Sequence, residues 1–468
     1  AGSGFASDPW RTIAQAVSSS LMPGDEIIVG PGEYDEEVKL PKGLNGEELL
    51  PITDGVEIHR GNRIVFPHGT VLNTVRPGDY LYVYRSRNGN SGAFPIYEVR
   101  PGTGEVFVQA GSFPASETRD GAAGHPLCAS IGRPIIMRGA YEATMPRIPL
   151  IAVGINYDPT LYGGTFDDNY ANNYVVIAAF DVTTVANSQA GGVFINGDHN
   201  VVQFCHIHDG PQNGVTTRSR LSANYTIIQN NRIGNNAGVE GVYVGAGGNH
   251  NGQYGDSKEN GNSQFSHILG NEIYGTMANE TLENAIEIKE NNPSTGNTNM
   301  GSVIAGNSIE SVVGTNGNGQ IQIGAGSSHT LVYRNTIRSL SAAGSDSAIG
   351  ILLLLNDRNG DSSPSAAIDL YENTILWEGY GEAPVSVTGI RVGVEANRSA
   401  APVAVAKAVT VYRNAITGIA KGVHLSGSVP DEEDVVHVYG NSFRDVAVST
   451  IINSFSRPAY ALVGNNAV

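Results

Sequence analysis

Lys289, Arg218 and Tyr243 bring together a side chain that can act as a base, a fixed positive charge and a phenol that can give up a proton. A lysine desolvated near other cations has a lowered pKa and can take a proton at neutral pH. Arginine keeps its charge and can neutralise an anion as it forms. These types suit removal of a proton α to a carboxylate, as in β-elimination from a uronic-acid polymer. Lys289 is then the base, Arg218 the charge stabiliser and Tyr243 the proton donor to the leaving oxygen. Each also has a plainer explanation, because Lys289 lies in a charged run with Glu287 and Glu290, and Arg218 can pair with a surface acid. Nearby, Asn213, Glu240 and Asn284, with Glu283 next to Asn284, offer oxygen ligands for a hard cation such as Ca²⁺. Glu287, Gln322, Arg220, His250 and Arg391 are the candidates for substrate contact.

A recurrent pentad must position these residues. Its copies include Gly192–Asn196, Gly214–Arg218, Gly241–Gly245, Ala285–Lys289, Gln320–Gly324, Gly350–Leu354, Gly389–Gly393 and Gly422–Ser426. The second and fourth residues are nearly all Val, Ile or Leu, so strand alternation points them into a core. The third residues then form one outer ladder: Phe194, Thr216, Tyr243, Glu287, Gln322, Leu352, Arg391, His424. The fifth form another, in which Arg218 and Lys289 fall two rungs apart, roughly 10 Å at the usual strand spacing. Gly245 between them is expected to leave an open floor. Long excursions over 247–264, 275–284 and 290–300 are placed to wall a groove, as loops on a rigid scaffold do. Leu352 and Leu354 are expected to be exposed on these ladders, marking a covered surface or a contact between copies.

A second motif recurs in phase: apolar-x-x-Asn-x-Ile, with Asn231, Asn271, Asn307, Asn335, Asn373, Asn414, Asn441 and Asn465 in its Asn slot, preceded by Phe180 and Cys205. Successive spacings are 25, 26, 40, 36, 28, 38, 41, 27 and 24. A floor near 25 with irregular excess describes coils of a parallel β-helix carrying loops of varying length. Asn suits the slot because it tolerates a left-handed backbone and its amide can bond to the same amide one coil on.

The segment Asn284-Ala-Ile-Glu-Ile-Lys289-Glu-Asn-Asn, followed by Gly306-Asn307-Ser308-Ile309, resembles the Lys-bearing strand of polysaccharide lyase family 6, the alginate lyase and chondroitinase B group. The resemblance implies a single-stranded right-handed parallel β-helix, Lys289 as base, and Ca²⁺ held by Asn213, Glu240 and Glu283. The family's arginine is expected near Gln320–Gly326, where this chain has Gly324 and no Arg, so Arg218 is its replacement here.

Composition bounds the rest. The 468 residues carry 28 Lys and Arg against 45 Asp and Glu, a net charge of −17, which repels a phosphate backbone and excludes a general nucleic-acid binder. The longest apolar runs, such as Ile349–Leu355, fall far short of the roughly 20 residues of a membrane span. The 59 glycines lack a G-X-Y period and signal a turn-rich, all-β protein. Two cysteines make no disulfide framework, and whether Cys128 and Cys205 pair is open. A first residue other than Met and a small, polar start fit a mature secreted protein, extracellular or periplasmic.

The expected organisation is a cap and first coil over 1–39, a β-rich insertion beside the first coils over 40–140, and coils carrying the groove over 141–468. In the cap, Asp8-Pro9 reads as the N-cap and first position of a short helix. Two alternatives to lyase chemistry stand. A hydrolase would use Glu240 and Glu287, with Asp209 a coil away, and a C5-epimerase would use similar proton abstraction. A non-catalytic carbohydrate-binding solenoid would cleave nothing. Cys205-His-Ile-His208-Asp209 has the look of a metal site, but His206 and His208 flank an inward Ile207 and read as outer-face residues.

Overall fold

The computed structural model describes residues 7–118, 127–140, 144–154, 170–183, 192–210, 213–219, 223–234, 240–246, 263–275, 284–288, 300–310, 319–324, 326–339, 349–355, 365–377, 387–393, 406–427, 436–455, 461–464 and 466–467. Among them, three parallel sheets run the length of a β-helix. Sheet A has twelve strands, from Glu26–Val29 to Ala461–Gly464; sheet B has ten, from Arg147–Ile148 to Ser442–Arg444; sheet C has eleven, from Glu37–Lys39 to Ser449–Phe455. Each coil visits A, B and C in turn, so a strand pairs with its equivalent one coil away.

The repeat motif maps onto this coil residue by residue. In Ile228-x-x-Asn231-x-Ile233, Ile228 is the inward residue of a sheet A strand and Ile233 the inward residue of a sheet B strand. Register stacks Ile228, Ile268, Ile304, Val332 and Leu370 in one column. The pentads contribute the facing column on sheet C, including Val242, Ile286, Ile321, Ile351 and Ile390. All belong to one continuous buried core. Register is strongly held, because a slip of one residue would send every apolar side chain outward.

Asn occupies the corner between sheets A and B, where its buried amide forms a ladder. Each Nδ2–H donates to the Oδ1 of the next coil: Asn231 to Asn271, 3.0 Å; Asn271 to Asn307, 3.0 Å; Asn307 to Asn335, 2.9 Å; Asn335 to Asn373, 3.0 Å. The series continues through Asn414 and Asn441 and ends at Asn466, not Asn465. The left-handed backbone lies one residue earlier than expected: Asn230, Gly270, Gly306, Arg334, Glu372, Arg413 and Gly440 have φ between 53° and 66°. The turn bends there, which leaves the Asn free to face inward. Where the corner holds Cys205, its backbone N–H still donates to Asn231 Oδ1 at 3.0 Å.

The cap helix covers Ile13–Val17. Its N-cap is Thr12, whose Oγ1 accepts from Gln15 N–H at 3.1 Å, rather than Asp8. Glu36 takes two further first-turn N–H groups, of Ile13 and Ala14, at 2.7 and 3.0 Å. These are the donors that a helix leaves open at its start.

Seven antiparallel strands between Glu47 and Arg133 form a separate sheet with its own apolar core, including Val56, Ile64, Leu81, Val83, Val106 and Ile131. In Tyr80–Tyr84 alternation serves two layers. Leu81 and Val83 face that core, while Tyr80, Tyr82 and Tyr84 pack on the outer face of sheet A with Val176, Val201 and Ile227. Polar pairs fix the contact. Tyr84 Oη meets His199 Nδ1 at 2.8 Å, Arg85 N–H donates to His267 Nε2 at 3.0 Å, and Gln229 Oε1 and Nε2 bracket Ala93 N and O at 3.0 and 2.9 Å. The insertion reaches along the helix to Tyr371 and Asp369, which meet Arg87 O and the Arg87 guanidinium at 3.1 and 2.8 Å.

Candidate functional site

On the outer face of sheet C the register joins Phe194 to Thr216, Thr216 to Tyr243, Tyr243 to Glu287, Glu287 to Gln322, Gln322 to Leu352, Leu352 to Arg391 and Arg391 to His424. Tyr243 and Glu287 are therefore side by side on adjacent strands. Gln322 Nε2 donates to Glu287 Oε1 at 2.8 Å, which fixes the carboxylate across the next rung. Tyr243, Glu287 and Gln322 are all buried. Arg391 is half-buried, and beside it burial, then the charges of Arg391 and Lys421, push His424 down to about 4, so its imidazole is neutral at pH 7.

Upstream on the same strands lies a second polar line. Glu240 is in register with Asn284, and its backbone N–H donates to Asn213 Oδ1 at 3.2 Å. Glu240 and Asn284 are buried, and among the described residues Asn284 Nδ2 meets no hydrogen-bond acceptor. Sheet C thus places a carboxylate between two amides at its upstream edge and a Tyr–Glu–Gln row three residues further on. Burial of two carboxylates in one region demands compensation by hydrogen bonds or opposite charge.

Two expectations change here. Gly245 is in register with Arg218, but the space over it is filled: a Cβ at Gly245 would stand 2.4 Å from Tyr243 Cε1. Leu352 and Leu354 are fully buried and cluster with Ile349, so they are not an exposed surface. Strand alternation sets the face of a side chain and not whether another layer covers that face. Of Arg218 only the backbone is described, and Lys289, Glu283, Arg220 and His250 lie outside the described residues. So do most of the expected groove walls, 247–262, 276–283 and 289–299.

A different cluster forms on the outer face of sheet B, where Asp181 is in register with His206. His208 Nε2 lies 2.7 Å from Asp181 Oδ1, and His206 Nδ1 is 3.8 Å from the same oxygen. The two imidazoles stack with centroids 3.9 Å apart. His206 and His208 do face outward as their spacing implies, but they are joined by an acid from the preceding coil. The coil period of 25 is the signal that could have found it, since Asp181 and His206 are 25 residues apart. The hydrogen bond to Asp181 raises the His208 pKa, while burial and then the charge of His208 lower that of His206. Burial pushes the Asp181 carboxyl up, but the hydrogen bond from His208 and the charges of His208, His206 and Arg147 bring it below its ordinary value.

A cleft of about 460 Å³ opens where the insertion meets the A–B corner, lined by Phe94, Gln203, Phe204, Gln229, Tyr333 and Arg334 among others. Both cysteines are free and buried, and burial pushes each thiol up to about 12.

No protein-family model and no curated protein sequence matches the chain. Solved structures similar to it include an alginate lyase from Paenibacillus sp. str. FPU-7, 15% identical over 70% of this chain and 84% of that one, with a TM-score of 0.39. A tailspike protein of E. coli bacteriophage HK620, seen with a pentasaccharide, is 12% identical over 71% of this chain and 53% of its own, with a TM-score of 0.43. PfbA, a surface adhesin of Streptococcus pneumoniae, is 13% identical over 71% and 81%, with a TM-score of 0.46.

Proposed function

We propose that this parallel β-helix is a secreted polysaccharide lyase that cleaves a uronic-acid polymer by β-elimination on the outer face of sheet C. The observation that carries the reading is the register that sets Tyr243 beside Glu287, with Glu240 and Asn284 upstream on the same strands and Asn213 just ahead of the strand Val215–Ser219. Lys289 directly follows Ile288 in sequence and is the proposed base. It takes the C5 proton, the electron pair forms the C4–C5 double bond, and the C4–O bond breaks. Tyr243 gives its phenolic proton to the departing oxygen. Arg218 opposes the charge that gathers on the uronate carboxylate. Glu287, fixed by Gln322, binds sugar hydroxyls, with Arg220, His250 and Arg391 as further contacts.

The donor set of Glu240, Asn213 and Asn284, with Glu283 next in sequence, fits Ca²⁺. It combines a buried carboxylate with the carbonyl oxygens of side-chain amides, all hard oxygen donors. Ca²⁺ bound there would supply positive charge opposite the substrate carboxylate.

The test is incubation with alginate, pectate, chondroitin and glucuronan while following the ultraviolet band of a 4,5-unsaturated uronate. The band should appear with one of them and vanish with a chelator and in Lys289→Ala; its absence with all four overturns the proposal. A hydrolase is the second reading, favoured by the burial of two carboxylates, Glu240 and Glu287, on neighbouring strands. New reducing ends without the ultraviolet band would establish it instead.

A further inference from the structure

We infer that Asp181, His206 and His208 form a binding site for a divalent transition metal of the Zn²⁺ type, separate from the proposed groove and on a different sheet. Asp181, His206 and His208 converge from two adjacent strands, each with one ligand atom within 4.8 Å of those of the other two, and His206 Nδ1 and His208 Nε2 are the nitrogens beside Asp181 Oδ1. Ligands about 2.1 Å from one tetrahedral ion lie roughly 3.4 Å apart. The pairs measured against Asp181 Oδ1, 2.7 and 3.8 Å, sit on either side of that value. Shifts of less than about 1 Å would bring both to it. Two imidazoles with one carboxylate select a borderline metal over Ca²⁺, which prefers oxygen throughout.

The stronger observation is the outer layer. A metal-bound imidazole ordinarily presents its second nitrogen to a carboxylate, carbonyl or similar group that orients the ring. Here both rings are so held: His206 Nε2 meets Tyr274 Oη at 2.8 Å, and His208 Nδ1 meets Asp209 Oδ2 at 2.6 Å. The nitrogens left facing Asp181 are the two that would ligate. An ion pair between His208 and Asp181 needs neither His206 in the same place nor the oriented second nitrogens. Arg232 pairs with Glu272 at 3.2 Å, and Arg147 lies beside Asp181 Oδ2 at 3.9 Å, so Oδ1 is the oxygen turned toward the imidazoles. Asp181, His206 and His208 side chains keep 27%, 28% and 14% of their exposure, which leaves room for water as the remaining ligand. A shallow groove of about 480 Å³, lined by Met145, Phe204, Asn230 and Arg232, opens on the same side.

The test is titration of chelator-stripped protein with ZnCl₂ by calorimetry and with CoCl₂ by visible absorption. The expected result is one equivalent bound, with intense cobalt d–d bands of a four- or five-coordinate site. Affinity should fall at least a hundredfold in Asp181→Asn and His208→Ala, and about tenfold or more in Tyr274→Phe, which leaves all three ligands in place. Unchanged thermal midpoints of the metal-free variants would show that they fold. Lys289→Ala should bind zinc as the parent does, and Asp181→Asn should keep any cleavage activity, so the failure of one proposal is distinguishable from that of the other. Binding that persists in Asp181→Asn/His206→Ala/His208→Ala, or no stoichiometric binding of either metal to the parent, overturns the inference and leaves an Asp–His ion pair.

Discussion

Asn307→Ala should destabilise the protein by about 4–6 kcal/mol, several times more than the same change at Asn466. The Asn307 side chain makes four hydrogen bonds. Its Oδ1 accepts from Asn271 N and Nδ2, both at 3.0 Å, and its Nδ2 donates to Ile268 O and Asn335 Oδ1, both at 2.9 Å. At about 1 kcal/mol net apiece these come to roughly 4 kcal/mol. Truncation also leaves Asn271 N–H unmet in a corner where Asn307 is only 1% exposed, which adds about 1–2 kcal/mol. Asn466 makes three such bonds, one of them long at 3.4 Å, and is half-exposed, so water replaces most of what is lost and about 1 kcal/mol is expected. Urea unfolding followed by circular dichroism reads both changes as midpoint shifts at constant slope. The strand Asn284–Ile288 lies on the coil between Asn271 and Asn307, so any cleavage activity should fall with the stability of Asn307→Ala. A loss below about 1 kcal/mol, or equal losses at 307 and 466, would show that the ladder decorates the corner without holding it.

Gly245→Ala puts a methyl 2.4 Å from Tyr243 Cε1 and should displace the ring, lowering turnover at least tenfold while the thermal midpoint falls by only a few degrees; steady-state kinetics beside a melting curve checks it. Acidification should loosen the insertion between pH 6.5 and about 4, read by the near-ultraviolet circular dichroism of its packed tyrosines, Tyr80, Tyr82 and Tyr84, and by limited proteolysis. Burial pushes His199 and His267 down to about 4, so the unfolded chain takes up protons first and stability falls with pH through that window, by roughly 3 kcal/mol for each histidine. The groups bonded to them are the hydroxyl of Tyr84 on His199, and on His267 the Arg85 N–H with Phe265 O, so a proton added to His267 Nε2 would oppose the Arg85 donor. Both cysteines should resist a thiol reagent in the native protein and react with two equivalents after denaturation, because burial keeps them as thiols.

Much of the architecture was legible in the chain because a solenoid repeats a local rule. The Asn slot, the isoleucines flanking it and the alternating pentads each report on a few consecutive residues, and stacking multiplies that report along the helix. The sheet C ladder from Phe194 to His424 follows from alternation and one period alone. The position of the left-handed residue is not legible, since Arg334, Glu372 and Arg413 carry no local sign of positive φ, and the steric cost there is borne by the ladder on the next residue. The helix start moved to Thr12 because Glu36, on the following coil, supplies the remaining acceptors. Alternation could show that Leu352 faces outward but not that this face is covered. Nor could it show that Tyr80, Tyr82 and Tyr84 would seal the outside of sheet A. These outcomes depend on which distant segments meet, as does the convergence of Asp181 with His206, His208 and Tyr274 from three coils. Periodicity specifies the direction of each side chain; only the packed fold supplies the partner waiting there.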